Sequence, residues 1–541
     1  MNEITRREVL TGAAAAALLA PSARADAPVQ EIASGTVYED GPERGGISGV
    51  LVSNGKDVVQ TDTAGRWALP VVNGDVIFVI KPAGWATQID PVTRLPRFFY
   101  IHQPLGTPAE LGLRYRGVAS TGDLPESIDF PLRRQREDPR FDVLLLTDPQ
   151  PESIAELGYV RDDVIAQLLD TDAALGITLG DIMFDDLSMY DRSNLIVGTI
   201  GRTWHNCCGN HDMNFEAPDD TFSRETFKRH FGPRYAAFQY ANTTFFTLDN
   251  VEYLGNKKYR GFFGSRQLEF IRNVLAHVPN EQLVVFCMHI PLHTAVGSEP
   301  NIATVNAQDF LQLISGRPRT ISFSGHTHTN EHHFLGPEQG FSGDKPHQHH
   351  VLTAVSGSWW SGPYDVRGIP VALAGDGAPN GFHVLSIDGD RVTKRLVPAH
   401  EPASAAMRIM LDSEFHQASE ETYRDFRMGQ LLRGPLPAEA VSSAFLLVNF
   451  FDGGPNSLVS FKIGDQAPQP MQRVQRPDPF VQEVYARNVS TKKPWVQPVP
   501  STHLWQAQLP ADLAPGMHRL TVRGTDAFGA EHAASMVLEI L

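Results

Sequence analysis

Between residues 140 and 330, polar residues stand repeatedly at or just past the C-terminal end of a short apolar run. These runs are typical of buried strands, and they alternate with segments of helical spacing. The polar residues in question are Asp148, Asp181, Asn210, His289, His326 and His328. Because the strand ends of an open α/β sheet form the crevice where ligands bind, we expect these side chains to converge. The pattern therefore predicts an α/β core whose sheets are covered by helices, with one polar site at the strand ends.

The chain of 541 residues is longer than one hydrophobic core usually supports, so several domains are expected around this core. Residues 29–116 show short alternating strands separated by turn residues, which predicts an N-terminal β-sandwich similar to the transthyretin-like or carboxypeptidase-regulatory-like type. We assign residues 139–400 to the α/β domain. Residues 401–541 form a C-terminal accessory region, with an immunoglobulin-like β-sandwich predicted from about residue 444.

The first 25 residues have the pattern of a twin-arginine export signal. Arg6 and Arg7 precede an apolar run from Val9 to Ala20, and Ala23-Arg24-Ala25 resembles a cleavage site. A membrane anchor is the alternative, but this run has 12 residues, and a span needs about 20. The sequence therefore predicts a periplasmic or secreted protein with no membrane span, exported by the twin-arginine route.

Charge and cysteine content narrow the functional classes. The net charge of −16 at pH 7 argues against general binding to nucleic-acid backbones or anionic membranes. Three cysteines, Cys207, Cys208 and Cys287, are too few for a disulfide framework and are interpreted as buried small hydrophobic residues. The oligomeric state is not determined by these features.

The donor atoms of the strand-end residues indicate a metal site. Asp and Asn offer oxygen and His offers nitrogen, a mixture that suits Mn, Fe, Zn or a related cation. Five further histidines crowd a segment after the last strand-end residue, where we expect solvation rather than metal binding. They are His332, His333, His347, His349 and His350.

Five blocks in order carry a resemblance to a known family. They are Leu146-Thr147-Asp148-Pro149-Gln150, Gly180-Asp181, Gly209-Asn210-His211-Asp212, Met288-His289 and Gly325-His326-Thr327-His328. They resemble the motifs of calcineurin-like metallophosphoesterases, and the accessory regions resemble a group of members with N-terminal and C-terminal β domains. The resemblance implies an αββα sandwich core and a hydrolase of phosphomonoesters or phosphodiesters.

Carried over residue by residue, the resemblance implies two divalent or mixed-valence metal ions. Asp148 and His328 would bind the first, Asn210, His289 and His326 would bind the second, and Asp181 would bridge both. A hydroxide held between the two metals would be the nucleophile. The substrate would be a phosphate ester, whose organic part the sequence does not identify.

Gln150 departs from the commoner family pattern, which has a histidine at this position. The glutamine either offers its amide oxygen to the first metal or holds a metal-bound water. His211 resembles the family's catalytic histidine, which would protonate the departing oxygen or stabilise charge on the phosphoryl group. Asp212 is expected to orient it.

A second reading is a non-catalytic exported protein that binds a glycan or a partner and uses its metals for stability. His211 beside Asn210 favours an enzyme, because a structural metal does not need a free acid next to it. Gln150 is the feature that favours the binding protein.

Overall fold

The computed structural model describes residues 30–402, 404–412 and 435–541. The predicted export signal lies outside the described residues, and so do residues 413–434. None of the described helices has the length and apolarity needed to cross a bilayer.

The N-terminal region forms two small sheets that pack face to face. One has the strand order β4-β1-β9-β6-β7 and the other the order β3-β2-β5-β8. Val52, Trp67, Ile77 and Phe130 fill the space between them because alternate residues of each strand point inward. The strands are β1 (Glu31–Glu39), β2 (Leu51–Ser53), β3 (Val58–Gln60), β4 (Arg66–Val71), β5 (Val76–Ile80), β6 (Trp85–Ile89), β7 (Pro96–Arg97), β8 (Phe99–Ile101) and β9 (Phe130–Arg134).

The central region alternates strands and helices. Its first seven strands are β10 (Arg140–Leu146), β11 (Leu175–Thr178), β12 (Thr203–Asn206), β13 (Ala236–Tyr240), β14 (Thr243–Thr247), β15 (Val251–Gly255) and β16 (Lys258–Gly261). The remaining strands are β17 (Leu283–Cys287), β18 (Thr320–Ser324), β19 (Glu331–Leu335), β20 (His347–Val351), β21 (Gly381–Asp388) and β22 (Arg391–Pro398). The helices are α1 (Ile154–Tyr159), α2 (Tyr190–Gly198), α3 (Glu225–Phe231), α4 (Ser265–Leu275) and α5 (Ala307–Ile314). Helix α1 continues through a π-helical turn (Val160–Val164) into a 3₁₀ turn (Ile165–Leu168).

Two sheets make the centre of this region. Their strand orders are β12-β11-β10-β21-β22 and β13-β14-β17-β18-β20-β19. Val143 and Ile177 of the first sheet and Val285 and Phe323 of the second belong to one buried cluster. Helices α4 and α5 pack on the outer face of the second sheet, and the helical turns after α1 pack on the outer face of the first. The predicted αββα sandwich core is thereby confirmed.

The pairing register of the parallel strands brings their C-terminal ends to one edge of each sheet. In the first sheet Leu146 pairs with Thr178, and Thr178 pairs with Asn206, so three parallel strands end side by side. In the second sheet Cys287 pairs with Phe323 at the corresponding ends of β17 and β18. The loops that follow these strands therefore lie next to one another.

The C-terminal region is again built of two antiparallel sheets, with orders β23-β24-β28-β27 and β26-β25-β29-β30. Phe450, Phe461, Trp505 and Val522 lie in the shared core between them. The flanking all-β part of the predicted fold class is therefore also confirmed. The elements are β23 (Met407–Leu411), β24 (Phe445–Phe450), β25 (Leu458–Ile463), β26 (Gln469–Pro470), β27 (Gln472–Pro477), α6 (Pro479–Arg487), β28 (Pro500–Gln508), β29 (Gly516–Thr525) and β30 (Glu531–Ile540).

The expectation for the histidine-rich segment is wrong. His347, His349 and His350 lie on β20 inside the second sheet and are buried. The ring of His347 reaches the Thr320 and Ser322 hydroxyls at 2.8 and 2.7 Å, and burial lowers its pKa to about 3. The hydroxyl partners let a neutral imidazole replace an apolar core residue.

Candidate metal centre

The seven predicted metal ligands lie together at the edge where the strands end. His289 Nε2 lies 3.0 Å from Asn210 Oδ1, 3.2 Å from His326 Nδ1 and 3.3 Å from Asp181 Oδ2. Gln150 Nε2 donates to Asp181 Oδ2 at 2.6 Å. On the other side of the cluster, His328 Nε2 is 3.6 Å from Asp148 Oδ1. Residues that span 180 positions of sequence therefore meet in one buried group.

The backbone is left-handed at five of these seven positions. The φ angles are 48° at Asp148, 39° at Gln150, 50° at Asp181, 75° at His326 and 53° at His328. A non-glycine residue in this region costs on the order of 1–3 kcal/mol and tends to occur at functional sites. Five such residues in one cluster point to a function there.

Glycines next to the ligands leave room for the ligand side chains. A Cβ on Gly209 would lie 2.1 Å from Asp181 Oδ1, and one on Gly325 would lie 2.2 Å from Asp148 Oδ2. A Cβ on Gly180 would lie 2.7 Å from His289 Nδ1, and this glycine has a φ of 93°. The glycine in each of the three motif blocks is therefore required by packing against a ligand.

Backbone carbonyls orient the three histidine rings. Each ring uses one nitrogen to donate to a carbonyl oxygen, which leaves the other nitrogen facing the cluster with a lone pair. The acceptors are Leu179 O for His289 Nδ1 at 2.9 Å, Gly357 O for His328 Nδ1, and Asn301 O for His326 Nε2 at 2.7 Å. This arrangement is typical of metal-binding histidines.

Two buried acceptor atoms inside the cluster have no hydrogen-bond partner among the described residues: Gln150 Oε1 and His328 Nε2. Burial raises the pKa of Asp148 despite nearby His328. Burial alone would raise the pKa of Asp181, but the charges of His289 and other histidines lower it. Two buried carboxylates beside unpartnered acceptor atoms fit bound cations, which would satisfy these atoms. The residues present therefore fit two metal ions.

His211 lies at the rim of the cluster. Its backbone N donates to Asp181 Oδ1 at 2.9 Å, and its ring Nδ1 lies 2.6 Å from Asp185 Oδ1. The Phe184 ring stacks on the imidazole with centroids 4.5 Å apart. Burial alone would lower the pKa of His211, but the carboxylates of Asp181 and Asp185 raise it. The side chain is 23% exposed, so the imidazole is held in place and still open to a ligand.

Asp185, rather than the predicted Asp212, contacts the His211 ring. Asp212 accepts hydrogen bonds from the backbone N of Gly209, Ile182 and Met183, at 2.9, 3.1 and 3.3 Å, and from the Tyr190 hydroxyl at 2.9 Å. Burial and the charge of Asp181 raise its pKa to about 6. The expected role of Asp212 is corrected accordingly: it joins the loops that carry the ligands.

Aromatic residues that sequence reasoning did not assign to the site cover it. Trp359 lies on the His328 ring with centroids 4.0 Å apart, and its own backbone is left-handed. Trp360 donates to the carbonyl of Pro149 at 3.0 Å. The contact of Trp359 with a ligand histidine has no local signal in the sequence.

Residues 33–113 match the model "N terminal of Calcineurin-like phosphoesterase", and residues 349–532 match the model "C terminal of Calcineurin-like phosphoesterase". Comparison with curated proteins gave no significant match.

Solved structures similar to this chain include a dimetal phosphatase, a purple acid phosphatase and PhoD. A dimetal phosphatase from Danio rerio is 16% identical, with 48% of this chain and 96% of that chain covered and a TM-score of 0.34. The purple acid phosphatase PPD1 from yellow lupin (Lupinus luteus) seeds is 15% identical, with coverage of 68% and 72% and a TM-score of 0.36. PhoD is 11% identical, with coverage of 68% and 88% and a TM-score of 0.36.

TM-scores this low support no inference about function, so the relation to a known family depends on the two matches to family models. They fall on the two regions on either side of the ligand motifs in sequence, and all five motifs lie in order between them. The chain matches the calcineurin-like phosphoesterase family in two regions, one on each side of the segment that carries the ligand motifs.

Proposed function

We propose that this protein is a metal-dependent phosphoesterase that hydrolyses phosphomonoesters or phosphodiesters with two metal ions. The observation that carries the proposal is the set of oriented imidazole nitrogens and unpartnered acceptors around two buried carboxylates. A site that only stabilised the fold would not need a half-buried imidazole held beside it.

The donors divide into two groups around Asp181. Asp148, Gln150 and His328 would hold one ion, Asn210, His289 and His326 would hold the other, and the Asp181 carboxylate lies between them. Manganese, iron or zinc suits this mixture of oxygen and nitrogen donors. When bound, such ions supply Lewis-acid activation of a phosphoryl oxygen and of water.

His211 would act on the leaving group. Asp185 and Phe184 fix the imidazole, so its Nε2 is the nitrogen left to donate a proton to the departing alkoxide. An alkoxide leaves poorly at neutral pH, and a positioned acid typically contributes about 10²–10⁴-fold.

The test compares His211→Asn with the wild-type protein after metal analysis. On alkyl phosphate esters kcat should fall about 10²-fold, whereas on aryl esters with acidic leaving groups the loss should be much smaller, with metal content unchanged. His277→Asn, at an exposed position, is the matched control. Full activity of the variant on both substrate classes would contradict the role of His211. No hydrolysis of any ester by the metal-loaded wild type would favour a binding protein.

We also propose that the protein is exported to the periplasm or beyond by the twin-arginine route. Support comes from the Arg6-Arg7 pair and the apolar run that follows. Replacing both arginines with lysine should leave the protein in the cytoplasm with its signal uncleaved. Normal export of that variant would refute the route.

A further inference from the structure

Trp495 is a half-exposed tryptophan that the C-terminal region contributes to the rim of the metal centre. Its side chain is 49% exposed, and it stacks on Phe184 with centroids 5.9 Å apart and planes 16° apart. Phe184 in turn stacks on His211. On a second side, Trp359, which lies on His328, meets the Trp495 ring edge-on at 6.4 Å. Trp495 therefore contacts both Phe184, which lies against His211, and Trp359, which lies against His328.

This tryptophan is held firmly by the residues around it. The backbone N of Lys493 donates to Ser361 Oγ at 3.0 Å, and Lys493 Nζ pairs with Glu152 and Glu156 at 2.9 and 3.1 Å. On the other side, Val496 is 1% exposed and packs in a small apolar cluster. An exposed aromatic face on a fixed backbone costs little entropy on binding a ligand.

The surroundings favour a flat apolar ligand. The ammonium group of Lys493 is paired with the two glutamates. The Asp185 carboxylate lies 2.6 Å from His211 Nδ1 and 3.6 Å from Lys257 Nζ. A sugar ring presents hydroxyls that need free polar partners, whereas an aromatic ring needs a stacking face. The column of nearly parallel rings His211, Phe184 and Trp495 offers such a face at its outer end.

We infer that Trp495 determines specificity by stacking against an aromatic ring carried by the alcohol part of the substrate, as a nucleobase is carried in a nucleotide. The inference rests on the proposed phosphoesterase function of the same site. A ring stacked on the outer face of Trp495 would be three ring contacts from His211, so the ester group attached to it would extend past the edges of Trp495 and Phe184 toward the metal cluster. Stacking of a base on an aromatic side chain contributes about 1–3 kcal/mol.

The test uses two esters that share the same primary alcohol and differ in the ring, adenosine 5′-phosphate and ribose 5-phosphate, together with their methyl diesters. Trp495→Ala should raise KM for the adenosine esters roughly tenfold, leave their kcat unchanged and leave the ribose esters unaffected. Trp495→Phe should retain most of the affinity. Leu458→Ala, which removes another exposed apolar side chain of the C-terminal region (74% exposed), is the control.

Binding of adenosine alone, followed by calorimetry, gives a readout that does not require turnover. The wild type should bind adenosine and Trp495→Ala should bind it roughly tenfold more weakly. Equal effects of the substitution on both esters, or no effect on either, would overturn the inference while leaving the phosphoesterase function intact. Failure of the wild type to hydrolyse any ester, p-nitrophenyl phosphate included, would instead refute the proposed function, and loss of adenosine binding in Trp495→Ala would still support the subsite.

Discussion

Replacing Gly209 with alanine should destroy the metal centre while leaving the fold in place. The new Cβ would lie 2.1 Å from Asp181 Oδ1 and 2.2 Å from Asp181 N. Unstrained contacts between such atoms need well over 3 Å. Because one of the two contacts is to backbone, a change of rotamer cannot relieve the overlap, and the loop that carries Asp181 must move.

The displacement required is on the order of 1 Å, and an error of that size at a reacting centre costs about 10²-fold in rate. Asp181 lies between both groups of donors, so both metal ions should be lost or bound weakly. The expected result is a fall in metal content and a fall in kcat/KM of about 10²-fold or more, with a circular dichroism spectrum like that of the wild type.

The assay measures metal content after gel filtration and kcat/KM on an aryl phosphate ester. Gly158→Ala is the matched control, since a Cβ at this helical glycine meets nothing within 4 Å. It should keep full activity and gain about 0.4–1 kcal/mol of stability. Wild-type metal content and activity in Gly209→Ala would refute the packing argument.

Three further outcomes are expected. Asp185→Asn should lower kcat on alkyl esters about tenfold with metal content and stability unchanged, because Asp185 contacts only the His211 ring nitrogen within the site; a loss of metal would contradict this. Asp212→Ala should destabilise the protein by several kcal/mol, measured by urea unfolding, because each buried donor left unpaired costs about 1–3 kcal/mol; an unchanged midpoint would contradict its role in joining the loops. Burial lowers the pKa of His347 to about 3, so the unfolded chain binds a proton that the folded chain does not between about pH 6.5 and 3. Stability should therefore fall as pH falls through this window, and His347→Gln should reduce the slope by about 1.4 kcal/mol per pH unit; an unchanged slope would contradict it.

The position of the metal cluster could be predicted from sequence because its ligands follow apolar strands. Asp148, Asp181 and His289 each come two or three residues after a largely buried strand, and the edge of a sheet is where such residues meet. The glycines beside the ligands are visible in the sequence, but their reason, the close approach of a carboxylate, needs coordinates.

The partners of these residues could not be predicted, because they depend on loop conformation and on contacts between distant segments. Asp185 reaches His211 across 26 positions, and Trp495 reaches Phe184 from a separate β domain. The histidines of β20 look like a polar segment in the sequence, whereas the Thr320 and Ser322 hydroxyls of the neighbouring strand accommodate the His347 ring inside the sheet.

Helix α1 begins earlier in the chain than the spacing of its apolar residues predicts. The spacing from Val160 to Ala174 predicts a helix there, but the helix begins at Ile154 and its last turn ends at Leu168. Ser153 Oγ accepts from Glu156 N at 3.2 Å, and Glu156 accepts from the backbone N of Glu152 at 2.7 Å. The Ser-x-x-Glu capping pattern marks this start in the sequence.

The most direct test of the central claim is an anomalous difference map from crystals of the metal-loaded protein. The account predicts two strong peaks in the cluster, one beside Asp148 and His328 and one beside His289 and His326, with the Asp181 carboxylate in contact with both. A single peak, or ions bound elsewhere while the protein still hydrolyses phosphate esters, would contradict it.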